Sequence, residues 1–408
     1  VKKNKKIIWQ NLFSDIEFYF GEKMLKAYKT EINPTEEQKE KILRTIGTCR
    51  YVYNFFISHN QTVYEKTGNY VSGFKFSKWL NEKFLPQNPD KAWIKEVSSK
   101  SVKQSILNAD KAFKNFFSKK SGFPNFKKKG KNDSSMYFVK TDSKTVIPCE
   151  RHRIKIPTLG WVQLKEFGYI PTDSENFVIK SGTISVKAGR FYVSVLIEQK
   201  EPQKVKQTGN GIGIDLGLKD FAVLSDGRTF ENINKTHVVR NLEKKLKRKQ
   251  RSLSRKYESF KKRKGEATRQ NLQKNLLEVQ KLYKRLENIR TDYINKVVSE
   301  VAKTKPEFVT IEDLNVRGMM KNRHLSKAIS KQKFFEFRTK LTSKCNIQGI
   351  ELRVANRFYP SSKKCSVCGK LKNIKLSERI YKCECGNEID RDFNASLNLK
   401  KCDVFEIA

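Results

Sequence analysis

The chain has 408 residues, of which 85 are Lys or Arg and 43 are Asp or Glu, for a formal charge of +42 that runs along the whole sequence and not in one tail. Such a length allows two to four domains with sizeable cores, which excludes a small disulfide-stapled scaffold, and no apolar run is long enough to span a bilayer. A field this positive implies a polyanion larger than the roughly 6–10 phosphates met by a typical sequence-specific DNA-binding protein, so a folded RNA, with DNA besides, is the expected partner.

An anionic membrane is the weaker alternative, because no terminal segment joins basic flanks to a clean apolar face. The opening Val1-Lys-Lys-Asn-Lys-Lys-Ile-Ile-Trp9 starts like a secretory n-region, but Gln10, Asn11, Ser14, Asp15 and Glu17 interrupt what should be apolar. Residues 1–23 read as an extension ahead of a first strand at 25–32, and the chain as cytoplasmic. Asn33-Pro34-Thr35 then starts a helix with an acidic first turn, continued by Ile42, Ile46, Cys49, Val52 and Phe56. Helical spacing persists from Phe74 to Phe117. At Gly122-Phe-Pro-Asn-Phe-Lys-Lys-Lys-Gly-Lys131 aromatics interleave with a basic run, a composition that fits base stacking with phosphate contact and equally a tethering loop.

Alternating segments follow at 153–157, 161–165, 178–180, 183–186 and 190–197, spaced as in a small barrel or sandwich. With the strand at 25–32 they would form one domain into which the helical lobe is inserted, and 204–211 would be a linker. Residues 211–220, Gly-Ile-Gly-Ile-Asp-Leu-Gly-Leu-Lys-Asp, read as a buried strand continuing through Phe221–Leu224 to a turn at Ser225-Asp-Gly-Arg228. Its interior carboxylate, Asp215, needs a cation or a metal ion for a neighbour. Between Asn241 and Gln270 thirteen residues are basic and three acidic. The run flows into a stripe of Leu272, Leu276, Val279, Tyr283, Leu286, Ile289, Tyr293 and Val297, so a basic helix is expected to fold back on an amphipathic one.

Two further acids complete a pattern. Phe308-Val-Thr-Ile311 is a second buried strand ending at Glu312, and Asp392 lies near the start of a short helix that opens at Asp390. A strand with Asp, a strand ending in Glu and a helix start with Asp is the order of an RNase H-like fold. Converging acids of this kind hold Mg²⁺ through hard oxygen ligands, and two ions about 3.5–4 Å apart serve phosphodiester hydrolysis. Asp215 and Glu312 are assigned to bridge or flank the ions and Asp392 to the second ion, with Asp313 and Asp390 as neighbours without a role. Cys365-Ser-Val-Cys368-Gly and Cys383-Glu-Cys385-Gly bracket fourteen residues and read as a closed four-thiolate structural Zn²⁺ site, although the second pair has one intervening residue where two are usual. Cys49, Cys149, Cys345 and Cys402 read as isolated buried thiols.

The motifs Asn33-Pro-Thr, Arg50-Tyr-Val-Tyr-Asn54, Gly122-Phe-Pro-Asn-Phe-Lys-Lys-Lys, Pro157-Thr-Leu-Gly-Trp161, Gly213-Ile-Asp-Leu-Gly-Leu-Lys-Asp-Phe-Ala222, Ile311-Glu-Asp-Leu-Asn315, Cys365-x-x-Cys-Gly and Asp390-Arg-Asp-Phe-Asn-Ala395 occur in one order. In this the chain resembles the transposon-encoded TnpB nucleases and the related compact type V CRISPR effectors. The resemblance implies an α+β multidomain chain: an extension at 1–23, a wedge strand at 24–33, a helical recognition lobe at 34–121, a wedge β-barrel at 122–208, a RuvC-like nuclease domain at 209–361 with basic helices over 238–303, a zinc-ribbon insertion at 362–388, and the end of the nuclease domain at 389–408. It implies an RNA-guided, Mg²⁺-dependent DNA endonuclease of a prokaryote, nucleoid-associated and monomeric, whose partners are a guide RNA and a double-stranded DNA target. The residues placed against nucleic acid are Arg50, Tyr53, Asn54, Ser77, Lys103, Lys127, Lys128 and Lys129, with Arg248, Arg251 and Arg255 in the basic helix. A cleavage-inactive RNA-guided repressor and an RNase H-like transposase are the alternatives; loss of an acid would favour the first, and the cysteine insertion before the last acid fits the second poorly. The sequence departs from the family in its first 23 residues, its shortened second cysteine pair and the short tail after Lys401.

Overall fold

The computed structural model describes residues 18–20, 23–130, 135–140, 146–173, 176–200, 207, 209–262, 269–375 and 378–408. Residues 1–17 and 21–22 of the expected extension at 1–23, and residues 204–206 and 208 of the expected linker at 204–211, lie outside the described residues. The chain divides into two compact units, residues 1–200 and 201–408. Among the described residues no helix is long and apolar enough to cross a membrane.

The first unit joins strands β1 (Phe18–Phe20), β2 (Lys23–Asn33), β3 (Ser135–Val139), β4 (Arg153–Ile156), β5 (Gly160–Leu164), β6 (Phe177–Lys187) and β7 (Arg190–Lys200) with helices α1 (Glu36–Thr67), α2 (Gly73–Trp79), α3 (Leu85–Gln87) and α4 (Ser99–Phe117). The strands form one sheet in the order β3-β6-β7-β2-β5-β4 with β1 on β2, and every pairing is antiparallel. Thus the strand ahead of the helices pairs with strands far beyond them. Among the described residues no ladder joins β3 to β4, so the pairing stays open where a closed barrel or sandwich is the expectation.

Thr35 caps α1 in a reciprocal box with Gln38, whose side-chain amide also donates to the carbonyls of Leu159 and Trp161. The helix start is thereby bonded to the sheet. Helices α1 and α4 meet through Val52, Phe56, Ile106, Ala109 and Phe113. Beside them the buried Asp110 accepts from the Tyr70 hydroxyl and the Gly73 N–H, both at 2.8 Å, and from Lys114 Nζ at 2.6 Å. Burial acts to raise its pKa, but these three donors outweigh it and hold the carboxyl below its usual range. The stability this carboxylate contributes is therefore present above the ordinary carboxylate range and is lost as pH falls through the depressed folded value. Asp110→Ala leaves the buried Gly73 N–H and the half-buried Tyr70 hydroxyl unpaired and is expected to cost about 3 kcal/mol in denaturant melts.

The second unit contains β8 (Ile212–Leu216), β9 (Asp220–Leu224), β10 (Thr229–Glu231), α5 (His237–Lys262), α6 (Arg269–Lys303), β11 (Phe308–Glu312), α7 (Val316–Met319), α8 (Ser326–Gln332), α9 (Phe334–Gln348), β12 (Glu351–Ala355), β13 (Ile380–Lys382), β14 (Glu388–Asp390), α10 (Arg391–Lys400) and β15 (Phe405–Ile407). Its sheet runs β10-β9-β8-β11-β12-β15, with β8, β11 and β12 mutually parallel. The stretch read as one strand through 211–224 instead folds back at Gly217-Leu218-Lys219. Asn232 Nδ2, Lys235 Nζ and Gln332 Nε2 donate to the carbonyls of Leu218, Lys219 and Gly217 and hold that turn.

Alternation along the strands sorts the two faces. Ile212, Ile214, Val309 and Ile311 enter a core with Ile294, Val297, Val298 and Val301 of α6 and Phe334, Phe337 and Leu341 of α9. Gly213, Asp215, Thr310 and Glu312 therefore face the other side, where α10 packs. There a Cβ on Gly213 would lie 2.1 Å from the Ser396 carbonyl oxygen and 2.4 Å from the Lys400 nitrogen, so glycine is what lets helix and strand touch. Helices α5 and α6 pair through Val239, Leu242, Leu246, Leu253, Val279 and Leu286.

Candidate active site and cysteine centre

The parallel register places Ile214 beside Ile311, so one residue further on Asp215 and Glu312 are neighbours at the carboxyl ends of adjacent strands. Both point to the α10 face, and strands in a ladder lie about 4.8 Å apart. Helix α10 crosses that face with Ser396 to Lys400 over Gly213, which sets Asp392, about one turn earlier, beyond the strand ends. Asp390 caps α10 by accepting from the N–H groups of Asp392 and Phe393, and so orients the turn that carries Asp392. The open end of a parallel ladder is where α/β sheets place their ligands.

Electrostatics ties the three acids together. Burial pushes the Asp215 carboxyl well above its usual range, and the charges of Glu312 and then Asp392 push the same way. Glu312 is raised by burial too, with Asp392 adding to it, while the Ser361 hydroxyl, which donates to Glu312 Oε1, acts against the shift. Like charges held this close stay ionised only beside a cation and otherwise keep a proton. In this structure Asp392 meets Arg391, whose Nε and Nη2 reach Oδ1 at 3.1 and 3.0 Å, and Arg379, 3.9 Å from Oδ2. Asp313, next to Glu312, is taken instead by Arg338 at 2.9 Å and by Arg357, and anchors the exit of β11.

The four cysteines converge. Their sulfurs all lie within 4.8 Å of one another, with Cys365 to Cys385 at 3.7 Å and Cys368 to Cys383 at 3.5 Å. A tetrahedral ion with bonds of about 2.3 Å to sulfur has S···S edges of about 3.8 Å, so the set fits zinc in size and donor type. The one-residue gap in Cys383-Glu-Cys385 does not prevent closure. Gly369 and Gly386, one residue beyond each pair, take φ of 77° and 88°, which frees the turns that fold the pairs inward. Burial works to raise the Cys365 thiol, but the Cys368 and Val367 N–H groups and the Asn387 amide bring it down to about 6.

Side chains from α10 bolt this centre to the acids. Asn394 accepts from the Ser366 N–H and donates to the Lys364 carbonyl, and Asn398 donates to the carbonyls of Ser361 and Lys364. Ser361, Asn394 and Asn398 have no charge or ligand chemistry that sequence reasoning could have singled out. Only Asn394 lies in a motif that the sequence marked, Asp390-Arg-Asp-Phe-Asn-Ala.

Of the residues assigned to nucleic acid, three meet one another. Asn54 clamps the backbone of Lys127, donating to its carbonyl at 2.9 Å and accepting from its N–H at 2.7 Å, and Lys127 Nζ lies 4.0 Å from the ring centre of the buried Tyr53. Phe123 packs edge-on to Phe113 and Phe116. The 122–130 segment is thus tethered to α1 and α4. Lys103 lies 5.6 Å from the Phe74 ring, Arg50 and Ser77 are half-buried, and Lys129 is exposed. Lys128 is exposed too, and Arg248, Arg251 and Arg255 are exposed on α5 opposite its contact with α6.

Comparison with known proteins matches this layout. The chain is 31% identical over 396 residues to "Putative RNA-guided DNA endonuclease InsQ" of Escherichia coli (strain K12), covering 92% of each. It belongs to the TnpB family. A second TnpB-family relative, "Putative RNA-guided DNA endonuclease" of Streptomyces pristinaespiralis, is 31% identical over 388 residues, covering 92% of this chain and 88% of the relative. Residues 194–323 match the IS605 OrfB model described as "Probable transposase", 334–399 the "Cas12f1-like, TNB domain" and 24–69 a "Helix-turn-helix domain". In this TnpB-family chain the last segment is β2 followed by the one unbroken helix α1. The fold is similar to that in the "Cryo-EM structure of the Cas12f1-sgRNA-target DNA complex", with a TM-score of 0.50 at 15% identity, covering 93% of this chain and 99% of that one.

Proposed function

We propose that this chain is an RNA-guided DNA endonuclease that hydrolyses phosphodiester bonds at Asp215, Glu312 and Asp392. The observation that carries the reading is the register of β8 and β11, which sets two acids side by side on the face where α10 brings a third. In this reading the second unit is a RuvC-like nuclease domain with the cysteine hairpin as its zinc-bearing insertion, and the sheet of the first unit is a wedge domain carrying a helical recognition lobe.

The donor set fits magnesium: three half-buried, mutually repelling carboxylates with no softer ligand among them. Asp215 and Glu312 would hold or bridge the ions and Asp392 the second. Magnesium bound there would polarise the scissile phosphate and supply the attacking hydroxide. The chain's own part is to position: Ser361 fixes the Glu312 oxygen, Asp390 caps the turn bearing Asp392, and the clamped 217–219 turn holds the end of β8. The charge of +42 suits an RNA scaffold and a heteroduplex held by their backbones, with base pairing choosing the target beside a short motif read by protein.

Protein purified with co-expressed RNA is expected to retain that RNA and to cut only DNA that matches its variable end. Cleavage by protein stripped of RNA would overturn the guided reading. Zinc at the cysteines is checked separately: elemental analysis should give one zinc per chain. Cys368→Ser should lower that content and the melting temperature together, since structural zinc contributes on the order of 10 kcal/mol in small domains.

A further inference from the structure

Arg391 stands inside the acid pocket and has no task in the reading above. It precedes Asp392 in the first turn of α10, and its side chain is only 14% exposed. Two of its nitrogens grip Asp392 Oδ1, its Nη1 donates to the Glu378 carbonyl at 3.1 Å, and its backbone N–H donates to the Arg379 carbonyl at 2.8 Å. The Arg379 guanidinium approaches the other oxygen of Asp392. Both oxygens of the third acid thus face cations, one of them fastened to the chain leading into β13 of the cysteine hairpin. A guanidinium keeps its proton in proteins, so this charge is permanent. It also opposes the repulsion that Asp215 receives from Glu312, Asp392 and Asp390.

Three neighbouring carboxylates with no cation would destabilise the fold before any divalent ion arrived. A fixed guanidinium removes that penalty, but it occupies an oxygen that the ion needs. We propose that Arg391 is a resident counter-ion of the acid pocket: it holds Asp392 in place before the divalent ion binds and yields Oδ1 when the ion enters. The bond to Glu378 keeps the displaced side chain beside the hairpin, so it can return when the ion leaves. Arg391 is in this sense a positioning residue, acting through Asp392. The inference rests on the divalent-ion reading of the acids.

The test titrates the full-length, zinc-loaded chain with Mn²⁺, counting free Mn²⁺ by paramagnetic resonance and recording thermal melts with and without the ion. Arg391→Gln should bind Mn²⁺ about tenfold more tightly than the unmodified chain, the size expected when an opposite charge is removed from a carboxylate. It should also melt lower without Mn²⁺ and gain more on its addition. Arg391→Lys keeps the charge and should bind Mn²⁺ close to the unmodified chain. Arg379→Gln should tighten binding by less, and it carries the test if Arg391→Gln fails to fold. A purely structural salt bridge would lower both melts equally and leave Mn²⁺ affinity unchanged, which would overturn the counter-ion. If Asp215→Ala binds Mn²⁺ like the unmodified chain, the divalent site and the counter-ion both fall. If Asp215→Ala loses the ion and both arginine variants bind it no more tightly, the counter-ion alone falls.

Discussion

Asp215→Ala is expected to reduce cleavage of guide-matched DNA by at least about 10³-fold while leaving bound RNA unchanged. Losses of 10² to 10³ follow removal of a single preorganised electrostatic group, and this residue carries more than one such interaction. It lies at the end of β8, next to Glu312 in register and within the field of Asp392, so no neighbour can take over its oxygens. The same substitution should raise the melting temperature of the ion-free protein, because it removes a carboxylate pressed by the like charges of Glu312, Asp392 and Asp390. Cleavage time courses, RNA retention on purification and ion-free melts together check the assignment. Retained cleavage, or loss of RNA along with cleavage, would refute it. A rise in stability with loss of activity is what separates a ligand of an absent cation from a structural carboxylate, whose removal lowers the melting temperature.

Gly213→Ala is expected to damage the second unit more than any other single added methyl group on the strand. The new Cβ would meet the Ser396 carbonyl oxygen at 2.1 Å and the Lys400 nitrogen at 2.4 Å, and both are helix backbone, so no rotamer change relieves the clash. Overpacking a core costs about 1–3 kcal/mol and more where backbone must move; here α10 must lift from β8. That displacement would carry Asp392 away from Asp215 and loosen Asn394 and Asn398 from the cysteine loop. A fall in melting temperature equivalent to about 3 kcal/mol or more, with cleavage lost at temperatures where the chain is still folded, is the expected outcome. Gly211 offers a control. The three atoms nearest its Cβ would belong to the Phe308 ring, a side chain that can turn where a helix backbone cannot, so Gly211→Ala should cost less.

The elements around the site were legible to different degrees. Alternation and branching marked β8 and β11 as buried strands, since Ile212, Ile214, Val309 and Ile311 all enter one core. Basic and apolar periodicity likewise made the α5 and α6 pair readable, because a three-and-four stripe has to bury itself against something. The break at 217–219 was not readable: the donors that hold it, Asn232, Lys235 and Gln332, come from fourteen to more than a hundred residues further on. Asn54 and Tyr53 were singled out for nucleic acid, and in the structure they meet the backbone and side chain of Lys127. Composition cannot tell a residue that meets phosphate from one that tethers the loop beside it.

The sequence by itself determined which chemistry was available, an ordered set of three acids, four thiols and a large cationic excess, because residue type and local periodicity are properties of short stretches. Only the tertiary structure decided how these groups meet. Register between two strands nearly a hundred residues apart made neighbours of Asp215 and Glu312, contact of α10 on Gly213 set Asp392 beyond them, and the hairpin's approach brought Arg379 to one of its oxygens and fastened Arg391, its neighbour in the chain, at the other. Those distances depend on long-range packing and hydrogen bonding, whose partners are far apart in the chain and leave no local pattern to read.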